Sequence, residues 1–243
     1  MVNDASTDET GKQLDTLAAT EPRLKVLHNA VNAGFVDSCN RGAAAATGEY
    51  LLFLNNDTVP LPGWLPPLLR TFELFADCGV AGGKLLFPDG RLQEAGGIIF
   101  ADASAAHFGR NEPNASLPLF SYVRPVDYCS GALMLTPRQL FQDLGGFDPD
   151  FRPGYYEDTD YCFRVRQSGR NVYYQPEAVV VHLEGGTAGT DPGQGMKQYQ
   201  ALNLRRFQAK HAAALAELRP RPRQFDAETW RVLAYRGKSA VTS

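Results

Sequence analysis

The sequence predicts an α/β protein with a mixed β-sheet flanked by helices. Three observations carry this. Short apolar runs of strand length alternate with helical patterns over residues 1–75. Those runs end in clusters of Asn, Asp and Gly that turn the chain. Beyond about residue 79 the alternation gives way to strands joined by tight turns, which adds an antiparallel component. The 243 residues suit one such domain, or one domain with an appendage.

Val2, Asn3 and Asp4 read as the tail of a strand. Ser6 with Glu9 three residues on fits a capping box, so a helix is expected almost from residue 7, with Leu14, Leu17 and Ala18 on one side. Residues 24–28 read as a second strand and the Ala-rich stretch 35–47 as a helix. Residues 50–54 are a third strand, and Pro62, Gly63 and Trp64 open a helix that buries Leu65, Leu68, Leu69, Phe72 and Phe75. Such alternation predicts parallel pairing with right-handed crossovers. Residues 80–87 and 97–100 read as strands either side of the turn Pro88, Asp89, Gly90, and 101–122 as loop. A strand over 126–135 carries a break at Ser130 and Gly131. Helices follow at 137–144 and 157–168, then strands at 172–174 and 178–182. Residues 196–218 predict one long helix, with a loosely held Pro/Arg-rich end; there is no internal repeat.

Composition narrows the function. A net charge of −3 argues against a nucleic-acid footprint. No apolar run approaches the roughly 18 residues that cross a bilayer. Met1 is followed at once by Val-Asn-Asp-Ala-Ser, without a secretory leader pattern, so a cytoplasmic protein is expected. Cys39, Cys78, Cys129 and Cys162 are far apart and form no CxxC pair, which fits reduced thiols rather than a zinc or redox site. Two glycosylation sequons, at Asn56 and Asn114, read as chance. Between 196 and 223, seven Lys/Arg (Lys197, Arg205, Arg206, Lys210, Arg219, Arg221, Arg223) face one acid, Glu217. A solvated face is the first reading of this basic stretch, and peripheral contact with the inner face of a membrane the second.

The run Tyr50-Leu-Leu-Phe-Leu54 drives into Asn55, Asn56 and Asp57. Ligands of open α/β sheets sit beyond the carboxyl ends of such strands. Asp57 can ligate a hard divalent ion, and Asn55 and Asn56 can bond phosphate or ribose; a simple Asx turn is the competing reading. Tyr155, Tyr156, Glu157, Asp158 and Asp160 cluster where a helix begins. Acids there answer the helix dipole, but an acid beside aromatic rings also has the raised proton affinity a general base needs. Asp160 can pair with Arg164 four residues on. His182 ends an apolar strand and can meet Asp57 if both strands end on one edge. Asp4 can accept from a nucleobase or cap a helix. The chain has no GxGxxG, GxxxxGK[ST] or GxSxG, which disfavours dinucleotide dehydrogenases, P-loop NTPases and α/β-hydrolases.

Taken together, these residues resemble family 2 glycosyltransferases, most of all their rhamnosyltransferase-like bacterial branch. Residues 2–8 resemble a VDDGSTD element. Asn32, Gly34, Phe35, Asn40 and Gly42 resemble N-x-G-F…N-x-G. Residues 48–57 resemble the G-E-Y-L-L-F-L-x-x-D segment that carries DxD. Ser130-Gly131-Ala132, Gly145-Gly146-Phe147-Asp148, the Glu157-Asp158-Thr159-Asp160 segment and His182 match later landmarks. The resemblance runs over residues 2 to about 190. It implies a GT-A fold over residues 1–190 and a basic helical extension over 191–243. It also implies an Mg2+ or Mn2+ ion, a UDP- or dTDP-sugar donor, a saccharide or lipid-linked acceptor, and inverting transfer in polysaccharide or cell-wall synthesis. By the same resemblance Asp4, Asn32, Gly34, Asn40, Asn55, Asn56 and Asp57 belong to the donor side. Asp57 and His182 belong to the metal, and Asp158, with Glu157 as second choice, is the base. Ser130, Gly131 and Tyr156 line the acceptor side. Two departures stand out. Asn55 replaces the first acid of DxD, and the family's first strand and helix are absent before Val2, so a truncated domain with a gap or exposed edge in its sheet is expected. The alternative is a non-catalytic nucleotide- or sugar-binding domain that needs a partner to complete the sheet. A sugar-nucleotide pyrophosphorylase is disfavoured, because no Gly-rich phosphate loop is present.

Overall fold

The structure, a computed structural model, describes residues 1–184 and 198–235. In chain order the elements are β1 (Val2–Asn3), α1 (Thr10–Thr20), β2 (Leu27–His28), α2 (Gly34–Ala45), β3 (Tyr50–Leu54), β4 (Thr58–Pro60), α3 (Leu65–Leu74) and β5 (Cys78–Leu86). Then come β6 (Leu92–Glu94), β7 (Gly97–Ile99), β8 (Ala105–His107), β9 (Arg124–Val126), β10 (Leu133–Pro137), α4 (Arg138–Asp143), α5 (Glu157–Gln167) and β11 (Asn171–His182). Helices α6 (Gln198–Lys210), α7 (Ala212–Leu215) and α8 (Ala227–Tyr235) close the described chain.

A seven-stranded sheet has the order β3-β10-β5-β11-β4, with β6 on β5 and β9 on β11. Strand β5 is its spine and is buried along all but its last residue. Its glycines allow neighbours to close in: a Cβ on Gly82 would lie 2.3 Å from the Cys129 side chain, and one on Gly83 2.3 Å from Ala178 O. Helix α3 covers one face, with Leu68, Trp64, Phe72 and Phe75 set against Ala81, Leu135 and Tyr173. The opposite face carries the larger core, in which Phe53, Phe141, Phe147, Tyr161 and Phe163 pack with residues of α2, α5 and the C-terminal helices.

Among the described residues, parallel pairing is confined to β1–β2 and β5–β11. Strand β3 pairs antiparallel with β10 instead. The long excursion after β5, through β6 to β9, lets β10 enter the sheet between β3 and β5, which separates strands that sequence order would place together. Among the described residues, β1 and β2 form a two-stranded sheet of their own, and β3 has β10 as its one partner, at an edge of the main sheet.

Several local expectations shift. Helix α1 starts at Thr10 rather than 7, with no side-chain cap from Ser6; Asp8 Oδ1 instead accepts from Thr10 N–H at 3.0 Å. The strand expected over 126–135 is two strands, β9 and β10, because the Ser130–Ala132 segment leaves the sheet. Strand β5 pairs with β6, while β7 pairs with β8 inside the stretch expected as loop. The strands expected at 172–174 and 178–182 are one strand, β11, with an irregularity between Gln175 and Val179. The long C-terminal helix breaks at His211, and α8 forms where no helix was expected.

The basic stretch is largely spent on the protein itself. Arg206 donates to Asp150 O, and Lys210 binds Asp148 and Asp160 at 2.6 and 2.7 Å. Arg221 donates to Ser104 and Ala105 and lies over Phe100 and Phe225, and Arg219 reaches Leu233 O. Lys197 and the expected 190/191 boundary lie outside the described residues. None of the described helices is long and apolar enough to cross a membrane.

Candidate active site

The strand directions bring the C-terminal ends of β3 and β11 and the N-terminal end of β10 to one edge of the sheet. Beyond β3, Thr58 Oγ1 donates to Asn55 O at 2.6 Å and closes the Asn55–Asp57 turn. Asn55 N donates to Ala132 O at 3.1 Å, tying the turn to the segment before β10. The β11–β4 register pairs His182 with Thr58. His182 Nε2 therefore lies 3.2 Å from Asp57 Oδ1.

The tautomer of His182 follows from Gln93. The Gln93 amide nitrogen faces two acceptors, His182 O and Glu184 Oε2, each at 3.3 Å. Its oxygen must then face His182 Nδ1, 2.7 Å away, and Nδ1–H donates to it. In the neutral ring Nε2 presents a bare lone pair toward the Asp57 carboxylate. Two acceptors 3.2 Å apart either share a proton, as an imidazolium ion pair, or share a cation. A second partner that fixes the other ring nitrogen is the usual support of a metal-binding imidazole. Asn55 Oδ1, on the same turn, is buried without a hydrogen-bond partner. One carboxylate, one imidazole and an unsatisfied amide oxygen fit a hard divalent ion that takes its remaining ligands from a substrate diphosphate. No group of three or more His, Cys, Asp or Glu side chains able to hold a metal occurs among the described residues.

On the other side of the Ser130–Ala132 segment lies the start of α5. Gly131 N donates to Asp158 Oδ2 at 2.9 Å, and Thr159 N to Asp158 Oδ1 at 2.6 Å. Burial raises the proton affinity of Asp158, and these hydrogen bonds oppose the rise. Glu157 is more deeply buried, and its Oε2 has no partner. Burial first, and the Asp158 charge second, push Glu157 well above the usual carboxylate range. The two neighbours therefore differ: Glu157 is buried with its proton affinity pushed well up, while Asp158 is half-buried. Tyr155 and Tyr156, just before them, both have left-handed backbones, with φ of 73° and 72°. Such conformations are rare in bulky residues and need support. Asn203 of α6 gives it, donating to Phe151 O, Gly154 O and Tyr155 O at 2.9, 2.9 and 3.0 Å.

Asp160 pairs with Arg164, Lys210 and His211 at 2.7, 2.7 and 2.8 Å. Burial opposes its charge, but His211, Arg164 and Lys210 outweigh burial and hold it below the usual carboxylate range.

Other expected residues have internal work. Asp4 caps α2 rather than α1, accepting from Ala33 N and Gly34 N at 2.8 and 2.9 Å and from Asn29 at 2.6 Å. Burial works against its charge, but these bonds prevail and keep it below the ordinary range. Asn32 is exposed and reaches Asp4 O at 3.4 Å, and Asn56 is exposed. Gly34 (φ 81°) sits where a Cβ would meet Pro153 at 2.7 Å. Asn40 spends both amide atoms on the Phe147 backbone, at 2.7 and 2.9 Å, so it clamps α2 to the 145–147 turn. Tyr156 points inward. Its hydroxyl donates to Ala103 O and its ring packs on Phe207, while Tyr155 is the partly exposed ring.

Sequence reasoning missed Gln93, Glu94 and His107. Leu85 pairs with Glu94 and Leu86 with Leu92, so Gln93 is an extra residue in β6. This bulge sends Gln93 to His182 and leaves the buried Glu94 facing Ser130 N, 3.1 Å away. Two adjacent polar residues inside an otherwise apolar hairpin were the available signal.

The fold defines a GT-A type, nucleotide-diphospho-sugar transferase architecture. It superposes on GalNAc-T7, solved with UDP, GalNAc and Mn2+, with a TM-score of 0.63 at 17% identity, covering 96% of this chain and 47% of that one. The mannosyltransferase PcManGT from Pyrobaculum calidifontis, solved with GDP-Man and Mn2+, gives a TM-score of 0.53 at 16% identity, covering 96% of this chain and 68% of that one. The chain belongs to glycosyl transferase family 2, whose model matches residues 1–145. Relatives include the pre-mycofactocin glycosyltransferase of Mycobacterium tuberculosis, 31% identical over 159 residues, which are 65% of this chain and 32% of that protein. The O-antigen biosynthesis protein RfbC of Myxococcus xanthus is 33% identical over 157 residues, 63% of this chain and 12% of that protein. The N-acetylglucosaminyl-diphospho-decaprenol L-rhamnosyltransferase of M. tuberculosis is 26% identical over 192 residues, 70% of this chain and 62% of that protein. The chain thus spans less than two thirds of the length of each of these relatives.

Proposed function

We propose that this chain moves a sugar, with inversion, from a nucleoside-diphosphate donor to a hydroxyl of a saccharide or lipid-linked acceptor. The observation that carries the proposal is the Ser130–Ala132 segment, which is hydrogen-bonded to Asn55 on one side and to Asp158 on the other. In this reading the segment links the turn that carries Asp57, on the diphosphate side, to Asp158, on the base side. Asp57 and His182 would hold the divalent ion. Once bound, that ion neutralises charge on the departing diphosphate. The acceptor oxygen attacks the anomeric carbon, and its proton passes to Asp158. The bond between that carbon and the β-phosphate oxygen breaks, and its electron pair leaves with the diphosphate. A base on the face opposite the leaving group inverts the centre, as in inverting glycosidases. Glu157, whose burial pushes its proton affinity well up, resists placing a second negative charge beside Asp158. The names of the relatives, an O-antigen biosynthesis protein and a diphospho-decaprenol rhamnosyltransferase, support a lipid-linked acceptor in envelope polysaccharide synthesis, and a UDP- or dTDP-sugar donor belongs to the same proposal. A cytoplasmic location at the inner membrane face belongs to the same proposal.

The test is Asp158→Asn against Glu157→Gln, with nucleotide affinity measured beside transfer. Asp158→Asn should lower transfer by about 100- to 10,000-fold and leave nucleotide binding unchanged. An active Asp158→Asn enzyme beside a dead Glu157→Gln enzyme would reverse the two roles.

The separate β1–β2 sheet favours a second reading, a nucleotide-binding domain whose sheet a further strand must complete. Metal-dependent nucleotide binding without transfer to any acceptor would favour it.

A further inference from the structure

We propose that His107 and Glu94 form an acceptor-side subsite in which His107 Nε2 hydrogen-bonds a hydroxyl of the saccharide acceptor and Glu94 positions the ring. This rests on the glycosyl-transfer reading above.

Glu94 is 1% exposed and touches two groups. Its Oε1 accepts from Ser130 N at 3.1 Å, and its Oε2 accepts from His107 Nδ1. Asp158 holds the next amide, Gly131 N, at 2.9 Å. Two carboxylates therefore grip consecutive amides of one segment, Asp158 for the base and Glu94 for the imidazole. The charge of Glu94 also acts on Asp158 and raises its proton affinity.

The chemistry of His107 follows from its anchor. A carboxylate can only accept, so Nδ1 carries the proton and Nε2 is the free end. The side chain is 34% exposed, and Nε2 makes no hydrogen bond among the described residues. A buried carboxylate fixing the tautomer of a partly open imidazole is the arrangement by which enzymes aim a ring at a hydroxyl. The charged groups facing it are Glu94 on β6 and Arg110 and Glu184 nearby, and the Tyr128 ring lies 6.0 Å away. Burial opposes the imidazolium, but Glu94 outweighs it and raises His107 above its ordinary value of 6.5. At neutral pH Nε2 can then donate to a hydroxyl oxygen or accept its proton. The Gln93 bulge joins this subsite to the donor side: Gln93 holds His182, and the next residue holds His107.

The test uses the full chain with UDP and dTDP sugars, Mn2+ and p-nitrophenyl glycosides as acceptors. His107→Ala should raise the acceptor KM by about tenfold, the worth of one hydrogen bond, with nucleotide Kd unchanged. Glu94→Gln should lower the His107 pKa, followed by ring NMR, and raise the acceptor KM in part. An unchanged acceptor KM in both variants would overturn the subsite. So would nucleotide affinity falling in step with acceptor use. The glycosyl-transfer reading fails separately, if the wild type binds no nucleotide. The subsite then stands or falls on whether a p-nitrophenyl glycoside shifts the His107 ring signals.

Discussion

At the scale of single residues, the chemistry divides between two adjacent acids. Glu157 has no cation and one orphaned oxygen, whereas Asp158 has three donors. That difference carries a stability consequence with a definite sign. The unfolded chain ionises Glu157 near its ordinary 4.5, while the fold keeps it protonated to higher pH. The unfolded state therefore loses the proton first, and its stabilising effect fades as pH rises above 4.5. Glu157→Gln should match the wild type in acid and exceed it at pH 7–8, by about 1.4 kcal/mol for each pH unit by which the folded Glu157 titrates late. Urea unfolding at several pH values reads this directly, and a variant less stable at every pH contradicts it. Residue types and spacing made Asp57, Glu157, Asp158 and His182 visible in the sequence, because each stands at an abrupt end of an apolar run or the start of a helix. They could not show that the Tyr156 hydroxyl turns inward or that Asn40 is a clamp. Those facts depend on partners about fifty and a hundred residues away, Ala103 and Phe147.

At the scale of elements, α6 is the unexpected contributor. Its sequence advertised positive charge, yet its central task falls to Asn203, fully buried beneath the 151–155 turn. One amide nitrogen serves three carbonyls there, and its oxygen accepts from Arg206 at 3.0 Å. Asn203→Ala leaves those carbonyls unpaired and removes the support of two left-handed tyrosines. It should cost about 3 kcal/mol in urea unfolding and lower transfer more than nucleotide affinity. A loss below about 0.5 kcal/mol would mean the turn holds itself. The apolar run of β3, the helix α5 and the existence of β5 as a strand were legible from period and composition. Pairing was not. Nothing local in residues 124–137 says that the chain visits β11, leaves the sheet to build the Ser130–Ala132 segment, and returns between β3 and β5. The bulge in β6 was hidden for the same reason, since register is a property of two strands.

At the scale of the whole molecule, the sheet edge, the start of α5 and the C-terminal helices form one device around the Ser130–Ala132 segment. Sheet topology brings Asp57 and His182 together, and α6 braces the turn that leads into Glu157 and Asp158. The β1–β2 pair stands apart from the main sheet, and none of α1 is buried, so this corner is held by few core contacts. The central claim is a sugar-nucleotide site that works through a divalent ion at Asp57 and His182. Calorimetric titration of UDP and dTDP, with and without Mn2+, tests it most directly when the wild type is set beside Asp57→Asn. The account predicts binding that strengthens with Mn2+ and a loss of that metal-dependent gain, about tenfold or more, in Asp57→Asn. Nucleotide binding indifferent to both Mn2+ and Asp57, or no binding at all, would contradict it.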